Sequence, residues 1–173
     1  MKRAMVGLAF LLGVAATGWP AHATLITFTA SLDGSQQVPS NMSAGTGSGT
    51  VVLDDVADTI TVDMSWQNLS APALLAHIHG PGAVGVNAPV LFPFANVPSV
   101  ISGSIPEQTF AITPAQIADL EAGLYYMNIH TSNFPAGEIR GQLTQVPEPG
   151  TLALLAAGAF GLACARRRKA RAD

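Results

Sequence analysis

From Thr24 to Leu32 the chain alternates: Ile26, Phe28, Ala30 and Leu32 fall on one side, Thr27, Thr29 and Ser31 on the other. That period of two predicts a half-buried strand. A second alternation follows the run TVVLD, after the acidic turn Asp55 to Asp58: Ile60, Val62, Met64 and Trp66 interleave with Thr59, Thr61, Asp63 and Ser65. Two such runs around a short polar turn predict a hairpin. Further strands are expected over Leu74–His79, Ser99–Ile105, Leu124–Thr131 and Glu138–Leu143. One short helix interrupts them in TPAQIADLEAG, with Thr113 as N-cap, Pro114 in the first turn, Gln116 completing a capping box, Gly123 as the stop, and Ile117 and Leu120 as its apolar stripe. The segment GPGAVGVNAPVLFPFANVP, residues 80–98, lacks either period and is expected as a loop folded over one face. Short strands divided by Gly and Pro turns give an all-β expectation: an antiparallel β-sandwich or Greek-key barrel with one short helix.

Both ends break this pattern. Lys2 and Arg3 precede the apolar run MVGLAFLLGVAATG and then Ala21-His22-Ala23, the layout of a secretory signal peptide. Residues 1–23 are therefore expected to be removed by signal peptidase after Ala23, leaving a domain over 24–145. At the other end, residues 146–173 comprise a proline-rich break, an apolar stretch from Leu152 to Ala165, and the basic cluster Arg166, Arg167, Arg168, Lys169 and Arg171. The stretch is short of the roughly 17–25 residues of a spanning helix, so it would cross a membrane only transiently, with its flanks stretched. The basic cluster would stay in the cytoplasm and the domain on the far side. With Pro147, Glu148 and Pro149 ahead of the apolar helix and the arginines behind it, this tail resembles the PEP-CTERM sorting signal. The resemblance implies recognition by an exosortase, which cuts near the PEP element and releases or transfers the body of the protein. A plain C-terminal membrane anchor would give the same topology.

Charge sharpens the picture. Within 24–145 Arg140 is the one lysine or arginine, against nine Asp and Glu, a net of −8. Such a surface repels phosphate backbones and excludes nucleic acid as a partner. The single cysteine, Cys164, lies in the tail, so the domain has no disulfide, thiol nucleophile or thiolate metal site.

Three histidines remain once His22 is set aside. On strands, His77 and His79 share one face of AHIHGP, and Tyr126, Asn128 and His130 share one face of LYYMNIHTS while Tyr125, Met127 and Ile129 turn inward. If those strands are neighbours, three imidazoles converge on a site suited to copper or zinc. The other reading is that the rings hydrogen-bond loop backbone and hold residues 80–98. Other chemistry is weaker. GTGSGT, residues 45–50, lacks the lysine and βα setting of a phosphate loop. DDVAD lacks EF-hand spacing and reads as a solvated turn. No serine lies in a nucleophile elbow, and Glu138 and Arg140 are expected to pair with each other or with loop backbone.

The pair HIHGP, the later LYYMNIHTSNFPAGEIRGQL and the opening strand with LDGSQQVP together resemble a CHRD domain over residues 25–143. This implies an all-β extracellular module. A weaker architectural similarity runs to Cu/Zn superoxide dismutase, with His77, His79, His130, Gly137 and Arg140 in corresponding places; the bridging histidine and paired cysteines of that enzyme have no counterpart here. The expectation is a non-enzymatic exported module, membrane-tethered before processing and then carried to the cell envelope or extracellular matrix, where exopolysaccharide or surface proteins are the candidate partners. The alternative is a copper- or zinc-binding protein using the three histidines.

Overall fold

The computed structural model describes residues 25–147, Gly150, Leu154, Leu155 and 157–160. Over residues 25–147 the elements follow in order: β1 (Leu25–Asp33), β2 (Thr46–Asp54), β3 (Thr59–Gln67), β4 (Ala73–His79), β5 (Val90–Pro93), β6 (Gly103–Ala111), helix α1 (Pro114–Glu121), β7 (Tyr126–Thr131), β8 (Ile139–Gln142) and β9 (Thr144–Gln145), with a single 3-10 turn at Gly34–Gln36 after β1. They form one sheet in the order β5-β4-β7-β8-β1-β2-β3-β6, with β9 beside β1 and every pairing antiparallel. The sheet curls into a nearly closed barrel. Its two edges meet at a seam, where Phe110 of β6 lies 5.5 Å from Phe92 and 6.1 Å from Phe94 between ring centres. The Gln108 side chain bonds both the N–H and the C=O of Ala95 across it, at 2.8 and 3.0 Å. Closure by side chains covers edge backbone that would otherwise invite pairing.

Alternation decides which residues fill the barrel. Phe28, Ala30 and Leu32 of β1, Val51 and Leu53 of β2, and Ile60, Val62, Met64 and Trp66 of β3 are buried in one cluster with Ala76, Ile78, Met127 and Ile129. The expected β2/β3 hairpin forms, with Leu53 opposite Ile60 and Val51 opposite Val62. The helix is as expected too: Thr113 and Gln116 form a capping box, Gly123 takes a positive φ of 70°, and Leu120 is buried.

Two expectations are corrected. The strand placed at Ser99–Ile105 runs instead from Gly103 to Ala111. Pro106 ended the sequence pattern, but β6 is an edge strand and its register with β3 shifts in this region, between Val62 and Met64; edge strands and bulges tolerate a missing N–H. The carbonyls of residues 100 and 101 serve as acceptors instead: Val100 C=O takes bonds from Ala73 N–H and the Trp66 indole, and Ile101 C=O takes one from Leu69 N–H. The loop 80–98 contains β5, a four-residue strand ending at Pro93 and paired with β4.

Close packing limits what β8 can carry. A side chain built on Gly141 would put its Cβ 2.5 Å from the Ser31 carbonyl oxygen on β1. Gly141→Ala must therefore push two backbones apart and should cost about 1–3 kcal/mol by denaturant unfolding. An unchanged midpoint would show that β8 is not held against β1 as described.

The expected cleavage at Ala23, together with Glu148, Pro149 and Arg166 to Arg168, lies outside the described residues. Among the described residues, no helix is long and apolar enough to cross a membrane.

Candidate metal centre

The β4/β7 pairing brings the histidines together. In register, Leu75 faces His130, His77 faces Asn128 and His79 faces Tyr126, so one outer patch carries all three imidazoles. Ring centres lie 5.4 Å apart for His77 and His79, 5.1 Å for His77 and His130, and 6.0 Å for His79 and His130. One ligand atom from each falls within 4.8 Å of the others, and among the described residues no carboxylate or thiol joins the group.

Two backbone carbonyls set which nitrogen each ring presents. His79 Nδ1 lies 2.9 Å from the Ala88 carbonyl, and His130 Nδ1 lies 2.9 Å from that of Pro135. A carbonyl oxygen only accepts, so both Nδ1 atoms carry the proton and both Nε2 atoms keep a lone pair. Those two Nε2 atoms and His77 Nδ1 are buried with no hydrogen-bond partner; among the described residues the only other buried side-chain polar atom so placed is the Tyr125 hydroxyl. Buried polar atoms are nearly always satisfied. Each of the three converging rings therefore keeps one unsatisfied nitrogen, and the reading in which the rings only brace loops accounts for the Nδ1 atoms of His79 and His130 alone.

Electrostatics favour the neutral form of two of the rings, His77 and His79. Burial, then the neighbouring His130 and His79, pushes the His77 pKa down to about 4. Burial also lowers that of His79; the bond to Ala88 opposes this, and His130 and Arg140 add to it. Protons therefore compete weakly for His77 at neutral pH.

Around the rings lies a polar layer that sequence reasoning only partly foresaw. Tyr126 stacks on His79 at 4.9 Å and 4°, and the Arg140 guanidinium sits 3.5 Å from the centre of the Tyr126 ring. Arg140 is 2% exposed and also donates to Asn87 Oδ1 and the Val86 carbonyl. The alternation of LYYMNIHTS already put Tyr126 beside His130. Ala88 and Pro135 act through backbone carbonyls, which leave no trace in residue type.

Glu138 and Arg140 do not pair with each other. Glu138 is fully buried and accepts from Ser43 Oγ at 2.6 Å, Ser70 N–H at 2.6 Å, Ser70 Oγ at 3.0 Å and Thr131 Oγ1 at 2.6 Å. Burial opposes its charge, but the bonds from Ser43, Thr131 and Ser70 outweigh it and hold its pKa below the ordinary carboxylate value. It ties the loops at Ser43 and Ser70 to the end of the His130 strand. Arg140 does bond loop backbone, as expected.

A CHRD domain model matches residues 28–143. The chain belongs to the CHRD domain family. A PEP-CTERM protein-sorting motif matches residues 145–169, spanning Pro147, Glu148, Pro149 and Arg166 to Arg168. The CHRD protein is thus marked for exosortase processing, as an exported chain that is membrane-associated beforehand. No curated protein and no solved structure matches this CHRD chain. The likeness to superoxide dismutase accordingly gains no support.

Proposed function

We propose that this CHRD protein is a non-enzymatic metal-binding module, exported behind its signal peptide and delivered through exosortase to the cell envelope or extracellular matrix, where it holds copper or zinc on His77, His79 and His130. The observation that carries the metal reading is the convergence of three imidazoles, with one ligand atom of each within 4.8 Å of the others and one buried, unpartnered nitrogen on every ring. Neutral imidazoles suit borderline metals, and first-row affinities peak at copper. Magnesium and calcium, which take oxygen ligands, would find nothing here.

A ligand that binds only the folded chain raises its melting temperature. At about 100 times the dissociation constant the gain is about 2.7 kcal/mol, or roughly 10 °C for a domain of this size. Zinc or copper should produce that shift in the exported protein and magnesium should not. Equal shifts with all three ions, or none with any, would defeat the metal reading.

The delivery reading has its own test. Deleting residues 147–171 should leave the domain folded but abolish its association with extracellular material. Matrix association that survives the deletion would rule out sorting by the tail.

A further inference from the structure

The chain supplies three nitrogen donors, whereas zinc and copper(II) centres ordinarily complete four or more positions. The other polar side chains on the same face of β4 and β7 are committed elsewhere. Asn128 Oδ1 accepts from Gln37 Nε2 at 2.7 Å, and the Tyr126 hydroxyl accepts from Ala88 N–H at 3.0 Å. Leu75, opposite His130, is apolar and 55% exposed. No side chain of this face is left to close the shell.

Depth and charge then limit what can enter. The rings of His77 and His130 are partly exposed, while their donor atoms and that of His79 are buried. The local charge is opposite to that of the domain: no carboxylate joins the histidines, and Arg140, the single arginine of 24–145, is held over the neighbouring Tyr126. A bound divalent cation would add to that positive field.

Resting on the three-histidine reading, we propose that the metal centre is coordinatively open and takes one small inorganic ligand, water, hydroxide or a slim monodentate anion, at a position facing away from the sheet. Bulkier donors are excluded by the depth of the nitrogens. No bond of the protein is made or broken; the ligand exchanges with bound water.

The test uses the exported protein loaded with one equivalent of copper(II) and titrated with sodium azide. A new azide-to-copper charge-transfer band should grow to a single saturation, with a matching change in the electron paramagnetic resonance spectrum. 2-Methylimidazole, a bulkier monodentate ligand, should leave both unchanged. A one-to-one copper protein whose spectra ignore azide would overturn the open position while sparing the three-histidine site. Equal responses to azide and 2-methylimidazole would overturn the size limit. A protein that takes up no copper overturns both proposals together.

Discussion

Glu138→Ala should destabilise the domain by roughly 3–5 kcal/mol, a large share of the 5–15 kcal/mol that holds a typical fold together. The substitution removes the acceptor for four hydrogen bonds, and Thr131, one of the donors, is itself fully buried. It also leaves a cavity at the junction of three chain segments. Urea unfolding measures the effect, and a loss under 1 kcal/mol would show that Glu138 is not the anchor described. Where the alanine variant fails to accumulate, Glu138→Gln keeps the shape and isolates the charge. The sign with pH follows from linkage. Glu138 has its pKa lowered from 4.5, so its stabilisation is present above that value and is lost as pH falls through the lower, folded one. His77, lowered from 6.5 to about 4, acts in the same direction at higher pH: the unfolded chain takes up its proton first, and metal-free stability declines from 6.5 toward 4. The glutamine variant should flatten the acid limb below 4.5 and leave the upper limb as it was.

The second large effect is on the metal. His79→Ala removes one of three donors and should weaken zinc or copper binding by more than the 10–100-fold that loss of an outer partner costs. His77→Ala and His130→Ala should do the same. Competition with a chromophoric chelator measures it, and circular dichroism shows whether each variant is folded. Because the pKa of His77 is lowered to about 4, protons compete weakly for this donor, and zinc or copper affinity should change little through it between pH 7 and 5. A folded His79→Ala protein with unaltered affinity would disagree with the geometry.

The sequence disclosed most of this arrangement because alternation survives translation into structure with little loss. Ile78 and Ala76 turned inward, His77 and His79 outward, and the same parity put His130 on the patch they share. What alternation lacks is strand order, and convergence of the rings depended on β4 lying beside β7. The structure supplies that pairing. Pattern misled where backbone chemistry dominates: Pro106 hid the second half of β6, and Pro89 and Pro93 disguised β5 within a loop. Of the two partnerships expected for Glu138 and Arg140, contact with loops replaced mutual pairing: the Ser43 and Ser70 hydroxyls, the Ser70 N–H and the Thr131 hydroxyl at the end of β7 satisfy the carboxylate, while an aromatic ring and loop acceptors hold the guanidinium. Neither partnership has a spacing to read.

The claim that organises the account is that three imidazoles of this CHRD domain share one ion. Zinc-edge X-ray absorption on the loaded, desalted exported protein tests it most directly. The account predicts one zinc per chain, with three imidazole nitrogens at about 2.0–2.1 Å and a fourth oxygen or nitrogen donor that lacks the outer-shell signature of imidazole. Well under one zinc per chain, or a shell of oxygens with no imidazole signature, would contradict it.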